Sequence, residues 1–340
     1  MKLGTFAVKT SVGEFRRIGV ATAAGVVDAT AARVALLEKS MPASTAHRVG
    51  AAQVPPDMIG LLGAGRIAVE WIAEAVDAVV ASGESATSNG QTIVYREAEI
   101  KLLAPVPRPP GIANFSVWPT HTTSAAEKGF DLKPAEEASG VKPYWKGNPD
   151  TFVGPGAVLE FPPYADELDV ECELVCIVGT GGRNLDCAAA EQAIAGYTIV
   201  NDVSARDIQR IEMKTGRGPA KGKDFDTGNV MGPWLVTPDE VGDVRTVRLS
   251  LHVNGKELSS SDASGILWDF PEMLSYLSLG QTIHPGHVIS AGCYAGGSGL
   301  DLNYKFQAGD LVELRISRIG SLVNRIGVPA RAQRVTVAKS

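Results

Sequence analysis

The sequence predicts an α+β protein in which a small N-terminal unit precedes a larger, strand-rich unit. In the first 105 residues, short patterns typical of strands come before patterns with helical periodicity. Between residues 101 and 110, four prolines interrupt the chain, which is typical of a connection between domains. Beyond it, turn-separated strand patterns dominate, including the hairpin signal Asn254-Gly255. We therefore expect domains at 1–105 and 106–340.

The N-terminal unit contains one motif that resembles a cofactor site. The segment Gly63-Ala64-Gly65-Arg66-Ile67-Ala68 has the glycine spacing of a dinucleotide fingerprint. A true fingerprint follows a core strand, and the preceding Pro55-Pro56 excludes one. We interpret the segment as a glycine-rich turn before a helix. Residues predicted to form regular structure in this unit are strands at 6–8, 17–21 and 25–28 and helices at 31–39 and 67–82.

Composition and charge exclude several classes of function. The net charge of −6 over 340 residues gives no basic surface for nucleic acid or an anionic membrane. No stretch of 18 apolar residues predicts a transmembrane helix, and the N-terminus lacks the apolar core of a signal peptide. The cysteines are scattered, which favours reduced thiols and a cytoplasmic protein: Cys172, Cys176, Cys187 and Cys293.

A carboxylate-rich stretch leads into the most apolar strand pattern of the chain. Side chains alternate across a strand, so Asp169, Glu171 and Glu173 share one face while Cys172 lies on the other. Carboxylates about 7 Å apart on a core strand repel each other and resist desolvation. A divalent cation would compensate them, and an all-oxygen ligand set favours Mg²⁺, Mn²⁺ or Ca²⁺. A solvated strand face is the alternative.

Further polar motifs flank this strand. A long loop from 112 to about 150 carries His121 and several aromatic residues, and it suits a lid. Asp202 ends a predicted strand, and Ser204 is expected to begin a helix that places Arg206 and Gln209 on one face. A basic, glycine-rich loop ends at Lys223. A structural ion pair at Arg206 and a solvated loop at Lys223 are the simpler alternatives.

Together these motifs resemble the fumarylacetoacetate hydrolase family over roughly residues 101–330. The resemblance implies a mixed β-roll catalytic domain, a smaller N-terminal α/β domain and a homodimer. The segments that carry it are Asp169-x-Glu171-x-Glu173-Leu174, Asn201-Asp202-Val203-Ser204-Ala205-Arg206-Asp207-x-Gln209, Lys223-x-Phe225-Asp226-Thr227, Met231-Gly232-Pro233-Trp234 and Pro285-Gly286-His287-Val288-Ile289-Ser290-Ala291-Gly292.

The resemblance also implies roles for particular residues. The family's metal ligands correspond to Glu171, Glu173 and Asp202. Its substrate-orienting residues correspond to Arg206, Gln209 and Lys223, and Lys223 is expected to stabilise negative charge that develops during the reaction. His121 corresponds to the histidine that activates water.

This sequence departs from the family's pattern near the expected base. Short bacterial members carry Glu three residues after the histidine, whereas Ser124 holds that place here. Glu127, six residues after His121, is the candidate acid to orient the imidazole, and the sequence leaves the identity of this acid open. Cys293 replaces a threonine of the family and is expected to line the substrate pocket, together with Tyr144 of the lid.

The expected activity is metal-dependent hydrolysis of a carbon–carbon bond in a 1,3-diketo acid, such as an acylpyruvate. Its partner would be a small keto-acid substrate, with Mg²⁺ as the expected cofactor. A keto-acid decarboxylase or isomerase, or a 2-keto-3-deoxy sugar acid dehydratase, is the alternative on the same fold. A non-catalytic metal-binding scaffold is the alternative from another class.

Overall fold

A computed structural model describes residues 1–130, 133 and 140–329 of the chain. The strands are β1 (Lys2–Thr10), β2 (Gly13–Thr22), β3 (Gly25–Asp28), β4 (Val94–Tyr95), β5 (Lys101–Leu102), β6 (Ile112–Phe115), β7 (Tyr144–Lys146), β8 (Phe152–Val153), β9 (Val158–Leu159), β10 (Leu168–Asp169), β11 (Glu171–Val178), β12 (Ile194–Asp202), β13 (Ser204–Ala205), β14 (Asn229–Val236), β15 (Arg248–Val253), β16 (Lys256–Asp262), β17 (Val288–Ser298), β18 (Leu311–Ile316) and β19 (Gly320–Ile326). The helices are α1 (Ala29–Glu38), α2 (Ala43–Gln53), α3 (Met58–Gly63), α4 (Arg66–Ser82), α5 (Pro119–Glu127), α6 (Cys187–Ala193), α7 (Arg206–Met213), α8 (Pro238–Val241), α9 (Phe270–Ser278) and α10 (Gly299–Leu302). The α+β class is confirmed.

The largest sheet joins the N-terminal strands to those of the site. Its order is β4-β3-β2-β1-β14-β12-β11-β17-β6-β7, with β5 paired to β1 and β8 to β14. The junction is the antiparallel pairing of β1 with β14, in which Lys2 faces Val236 and Leu3 faces Leu235. The predicted division near residue 105 stays a prediction, and one sheet runs across it.

A second sheet packs against the first and has the order β16-β15-β18-β19-β9. The predicted hairpin joins β15 to β16, and its turn residues Asn254 and Gly255 have φ angles of 50° and 81°. Positive φ at both positions is the type I′ geometry that Asn-Gly favours. The core between the sheets includes Leu249 and Leu251 of β15 and Leu314 of β18.

The other core lies between the large sheet and the N-terminal helices. Helix α4 supplies buried side chains at helical spacing, among them Ala68, Ile72 and Val79, and it ends at Gly83 in the left-handed conformation. Val175 and Ile177 of β11 contribute to this core from the sheet.

Strand β11 is buried on both faces, and the predicted alternation is confirmed. Cys172, Leu174 and Cys176 belong to the core between the two sheets. Glu171 and Glu173 precede Val175 on the opposite face. Two glutamates therefore enter the protein interior side by side, where they need opposite charge or a bound cation.

Candidate metal and catalytic site

Glu171, Glu173 and Asp202 converge because β11 and β12 are antiparallel neighbours. Cys172 faces Asn201 in this pairing, so the start of β11 meets the end of β12. One carboxylate oxygen from each of the three acids lies within 4.8 Å of the others, and all three side chains are buried. The structure therefore brings together the three residues that the sequence assigned to a metal.

Two buried cations contact this carboxylate cluster. Lys223 Nζ donates hydrogen bonds of 2.7 Å to Glu171 Oε2 and 2.7 Å to Asp202 Oδ2. Arg206 Nη2 donates to Glu171 Oε1 at 2.7 Å, and its Nε donates to Asp169 Oδ2 at 2.7 Å. Glu171 is therefore paired twice. Asp169, which the sequence placed beside the cluster without a role, anchors Arg206.

The pKa values of Glu171 and Glu173 shift in opposite directions. Burial raises the pKa of Glu171, but Lys223, Arg206 and His121 outweigh burial and hold it well below its usual range. Burial also raises the pKa of Glu173, and the charges of Asp202 and Glu171 raise it further. The charge of Lys223 offsets this rise only in part, so the pKa of Glu173 stays well above its usual value.

The donors present fit a divalent metal ion. With four carboxylates (Asp169, Glu171, Glu173 and Asp202) and two cations (Arg206 and Lys223), the ionised cluster carries a net charge of −4 + 2 = −2. Asp202 Oδ1 is buried and accepts no hydrogen bond. A buried carboxylate oxygen without a hydrogen-bond partner is costly, and coordination of an ion would satisfy it. Net charge, oxygen donors and the unpartnered oxygen all suit a hard divalent ion.

Two neutral side chains complete the surroundings of Glu173. Asn114 Nδ2 donates to both Glu173 oxygens and to Asp202 Oδ2, each at 3.0 Å. Ser290 Oγ donates to Glu173 Oε2 at 2.7 Å. These residues face each other across the parallel pair β6 and β17. Sequence reasoning did not assign Ser290 a role, because only this strand pairing brings it to Glu173.

His121 lies beside the cluster on helix α5, in a segment that the sequence predicted as a loop. Pro119 begins the helix, where its fixed φ and missing N–H are tolerated. His121 Nδ1 is 2.8 Å from Asp301 Oδ2, and Nε2 is 3.8 Å from Glu171 Oε1. One imidazole nitrogen is thus held by a carboxylate while the other faces the proposed metal ligands.

The acid that holds His121 is Asp301, and the expectation that Glu127 orients the imidazole is wrong. Glu127 is exposed at the end of α5. Six helical residues turn through about 600°, which is about 240° around the axis, so the two side chains point to different sides. Asp301 is on α10, 180 residues further along the chain from His121. Burial raises the pKa of Asp301, but the hydrogen bond and the charge of His121 outweigh burial and lower it.

The structure also places the remaining predicted site residues. Gln209 Oε1 accepts a hydrogen bond of 2.8 Å from Arg206 Nη1, so the two share one face of α7 as predicted. The helix begins at Arg206, however, and Ser204 belongs to β13 and caps nothing. Cys293 pairs with Glu173 across β17 and β11. Its sulfur lies within 4.8 Å of ligand atoms of His121 and Asp301.

Tyr144 and its neighbour Trp145 take different sides of β7. The Tyr144 ring packs against Phe115 at an interplanar angle of 37°, with ring centroids 4.9 Å apart, and contacts the core between the sheets. The ring beside the site belongs to Trp145, whose centroid is 6.0 Å from Lys223 Nζ. The sequence-based expectation placed Tyr144 at the pocket, whereas Trp145 holds that position; a one-residue change of register exchanges the faces of these neighbours, and the sequence does not specify the register.

The fold and site together define an α+β enzyme class in which a buried acidic cluster can hold a metal next to a histidine. Residues 117–327 match the family model described as fumarylacetoacetate (FAA) hydrolase, C-terminal. The chain belongs to the fumarylacetoacetate hydrolase family.

Curated relatives and solved structures agree with this assignment. An oxaloacetate tautomerase of Bacillus subtilis is 30% identical over 238 residues, which are 69% of this chain and 76% of the relative. A mitochondrial oxaloacetate tautomerase of Bos taurus is 30% identical over 69% of this chain and 72% of its own. Among solved structures, a fumarylacetoacetate hydrolase of Exiguobacterium antarcticum has 26% identity and a TM-score of 0.68, covering 96% of this chain and 99% of that one.

One further structure shares the fold at lower identity. It is a maleylpyruvate hydrolase of a Sphingobium species, solved with manganese(II) and pyruvate, at 22% identity and a TM-score of 0.67. The alignment covers 97% of this chain and 100% of that one. In the part of the chain that the structure describes, no helix has the length and apolar character needed to cross a bilayer.

Proposed function

We propose that this protein hydrolyses a carbon–carbon bond in a 1,3-diketo acid of the acylpyruvate or fumarylacetoacetate type. The observation that carries the proposal is the His121–Asp301 pair, whose Nε2 lies 3.8 Å from a carboxylate of the acidic cluster. A histidine with one nitrogen fixed by a carboxylate and the other free is the usual arrangement of a general base. Here that base adjoins a set of oxygen donors suited to a metal.

The acidic cluster would hold the metal cofactor. Glu171, Glu173 and Asp202 are the proposed ligands, with Mg²⁺ expected and Mn²⁺ or Ca²⁺ as alternatives. When bound, a divalent ion supplies Lewis-acid polarisation of the oxo-acid oxygens of the substrate. The maleylpyruvate hydrolase structure that contains manganese and pyruvate supports a ligand of this chemical class.

His121 and Asp301 would move the proton of the attacking water. The Asp301 carboxylate accepts the Nδ1–H of His121, which leaves Nε2 to take a proton from water. The water oxygen then bonds to the distal acyl carbon, and the bond between this carbon and the pyruvyl methylene carbon breaks. The electron pair forms the enolate of the released pyruvyl group. His121 returns its proton to the enolate carbon.

Buried polar side chains would stabilise the charge that this reaction develops. Lys223 is the proposed donor to the oxyanion or enolate, and its place between Glu171 and Asp202 keeps the ammonium group at the cluster. Removing such a donor costs about 3–4 kcal/mol of activation free energy. Arg206 and Gln209, bonded to each other, are proposed to orient the substrate, and Cys293 to line the pocket.

A second candidate is tautomerisation of oxaloacetate between its enol and keto forms. Two curated relatives with this activity in their names align with 69% of the chain. The same His121–Asp301 pair suits transfer of a proton to or from carbon 3 of the substrate. Because the relatives are enzymes, they favour a catalytic role over a metal-binding scaffold. The expectations of a homodimer and a cytoplasmic location stay predictions.

Oxygen-18 labelling separates the two candidates. The Mg²⁺-loaded protein is incubated in H₂¹⁸O with a panel of acylpyruvates, and the carboxylic acid product is analysed by mass spectrometry. Hydrolysis predicts one ¹⁸O atom per acid released and loss of this product in His121→Ala but not in His284→Ala, a change at an exposed turn. Accelerated ketonisation of enol-oxaloacetate without acylpyruvate cleavage would refute hydrolysis and support the tautomerase.

A further inference from the structure

Three side chains of different chemistry meet next to the acidic cluster. His121 of α5, Cys293 of β17 and Asp301 of α10 each bring a ligand atom within 4.8 Å of the other two. None of them is among the proposed metal ligands of the acidic cluster, which are Glu171, Glu173 and Asp202. An imidazole nitrogen, a sulfur and a carboxylate oxygen form the donor set of three-ligand zinc sites, in which a fourth position stays open.

One carboxylate oxygen of Asp301 accepts no hydrogen bond and is available to a ligand. Its Oδ2 accepts three hydrogen bonds, from His121 Nδ1 at 2.8 Å, Gly296 N at 3.0 Å and Ser298 Oγ at 3.0 Å. Its Oδ1 accepts none, although the side chain is only 4% exposed. Such buried oxygens are rare unless water, an ion or another ligand occupies the site. The carboxylate is therefore fixed through one oxygen and available through the other.

Cys293 has no strong partner that would compete for its sulfur. The thiol is buried, and its one hydrogen bond goes to its neighbour's backbone oxygen, Tyr294 O, at 3.3 Å. Burial and the carboxylates of Glu171 and Asp301 raise the pKa of Cys293 well above its usual value. The thiol is consequently no activated nucleophile, and the three residues do not form a cysteine–histidine–aspartate hydrolase triad.

We propose that His121, Cys293 and Asp301 form a second metal site, selective for a borderline-soft divalent ion such as Zn²⁺. Tetrahedral zinc, with Zn–S of about 2.3 Å and Zn–N of about 2.0–2.1 Å, sets its ligand atoms about 3.3–3.7 Å apart. The ligand atoms of the three side chains lie within 4.8 Å of one another, so side-chain rotation is required to reach this spacing. Binding releases the thiol proton to solvent, and a nitrogen lone pair of His121 is donated to the ion.

The two sites therefore differ in the metals they select. The oxygen donors of the acidic cluster favour Mg²⁺, whereas the sulfur and imidazole donors favour Zn²⁺. Occupation of the second site also removes His121 as a base, so Zn²⁺ inhibits the Mg²⁺-loaded enzyme. The expected inhibition by Zn²⁺ rests on the proposed function, whereas binding of Zn²⁺ at the second site does not.

Cobalt(II) is the probe for binding, because a cysteine ligand gives it a thiolate-to-metal absorption band in the near ultraviolet. We expect this band when Co²⁺ is added to the Mg²⁺-loaded 340-residue chain. The band should be absent in Cys293→Thr and unchanged in Cys187→Ser, which alters an exposed cysteine. Zn²⁺ should abolish the band at micromolar concentration, whereas millimolar Mg²⁺ should not.

Zinc affinity, measured by calorimetry in excess Mg²⁺, gives the second readout. We expect at least a 100-fold loss in Cys293→Thr and in Asp301→Asn, with thermal unfolding confirming that each variant is folded. If one variant fails to fold, the other decides. Absence of the cobalt band, its persistence in Cys293→Thr, or unchanged zinc affinity in a folded variant would overturn the site. Because neither readout requires turnover, failure of the hydrolase proposal would be recognised separately.

Discussion

Replacing Asp301 with asparagine removes the charge that fixes His121 and leaves a side chain of the same size. If the new amide faces Nδ1, it donates a hydrogen bond there, and the imidazole proton moves to Nε2. Nε2 could then no longer accept a proton from water. A general base contributes about 10²–10⁴-fold, so we expect kcat to fall by about that factor, equivalent to about 3–5 kcal/mol.

The assay is steady-state turnover of an acylpyruvate, with Mg²⁺ titrated in parallel. Magnesium affinity should stay unchanged, because Asp301 is no ligand of the acidic cluster. Glu127→Gln, at the exposed end of α5, should leave kcat within about twofold. Adding Ser124→Glu to Asp301→Asn supplies a carboxylate one helical turn from His121 and should recover at least tenfold. Turnover of Asp301→Asn within threefold of wild type would refute the assignment of the base.

Other expected outcomes follow from the charges around the site and from one buried histidine. Chelation of the metal by EDTA should abolish turnover, and added Mg²⁺ should restore it. Full activity after chelation would exclude a role for the metal. Glu173→Gln should lower metal affinity at least tenfold. Lys223→Met should lower kcat at least 100-fold with a smaller change in KM. Lys221→Met, at an exposed position, should leave kcat unchanged. Equally small decreases in kcat for the two variants would show that Lys223 has no role in the site. Burial, then Lys146 and His284, lower the pKa of His287 to about 4. In the unfolded chain the same imidazole has a pKa near 6.5. Between pH 6.5 and pH 4 the unfolded state therefore binds a proton at His287 that the folded state does not bind. This residue should lower the free energy of unfolding by about 3 kcal/mol between pH 7 and pH 4. His287→Gln should reduce this loss in denaturant unfolding, and His284→Gln, which removes only the smallest of the three causes, should reduce it less.

Part of the acidic cluster could be predicted from the sequence because two of its residues are close together in the chain. Glu171 and Glu173 are two positions apart on a strand, so their common face follows from strand geometry alone. Asp202 was added through the family resemblance. The structure brings all three within 4.8 Å, as that combination predicts.

Contacts that depend on how distant strands pair could not be predicted from the sequence. The choice between Tyr144 and Trp145 requires the register of β7 on β6, where Asn114 pairs with Trp145. Ser290 approaches Glu173 only because β17 lies between β11 and β6. The pairing of β1 with β14 likewise joins segments more than 230 residues apart, and nothing local in either strand specifies it.

The partner of His121 shows why a missing motif residue need not mean a missing function. The family pattern has Glu one helical turn after the histidine, and with Ser124 at that position Glu127 is the next acid along the chain. The requirement of the chemistry is a buried carboxylate at Nδ1, and any element that reaches this point can supply one. Helix α10 does so, with Gly296 and Ser298 fixing the same oxygen that binds His121. With the acid on α10, Asp301 lies close to both His121 and Cys293, so the same carboxylate serves the imidazole and the proposed soft-metal site.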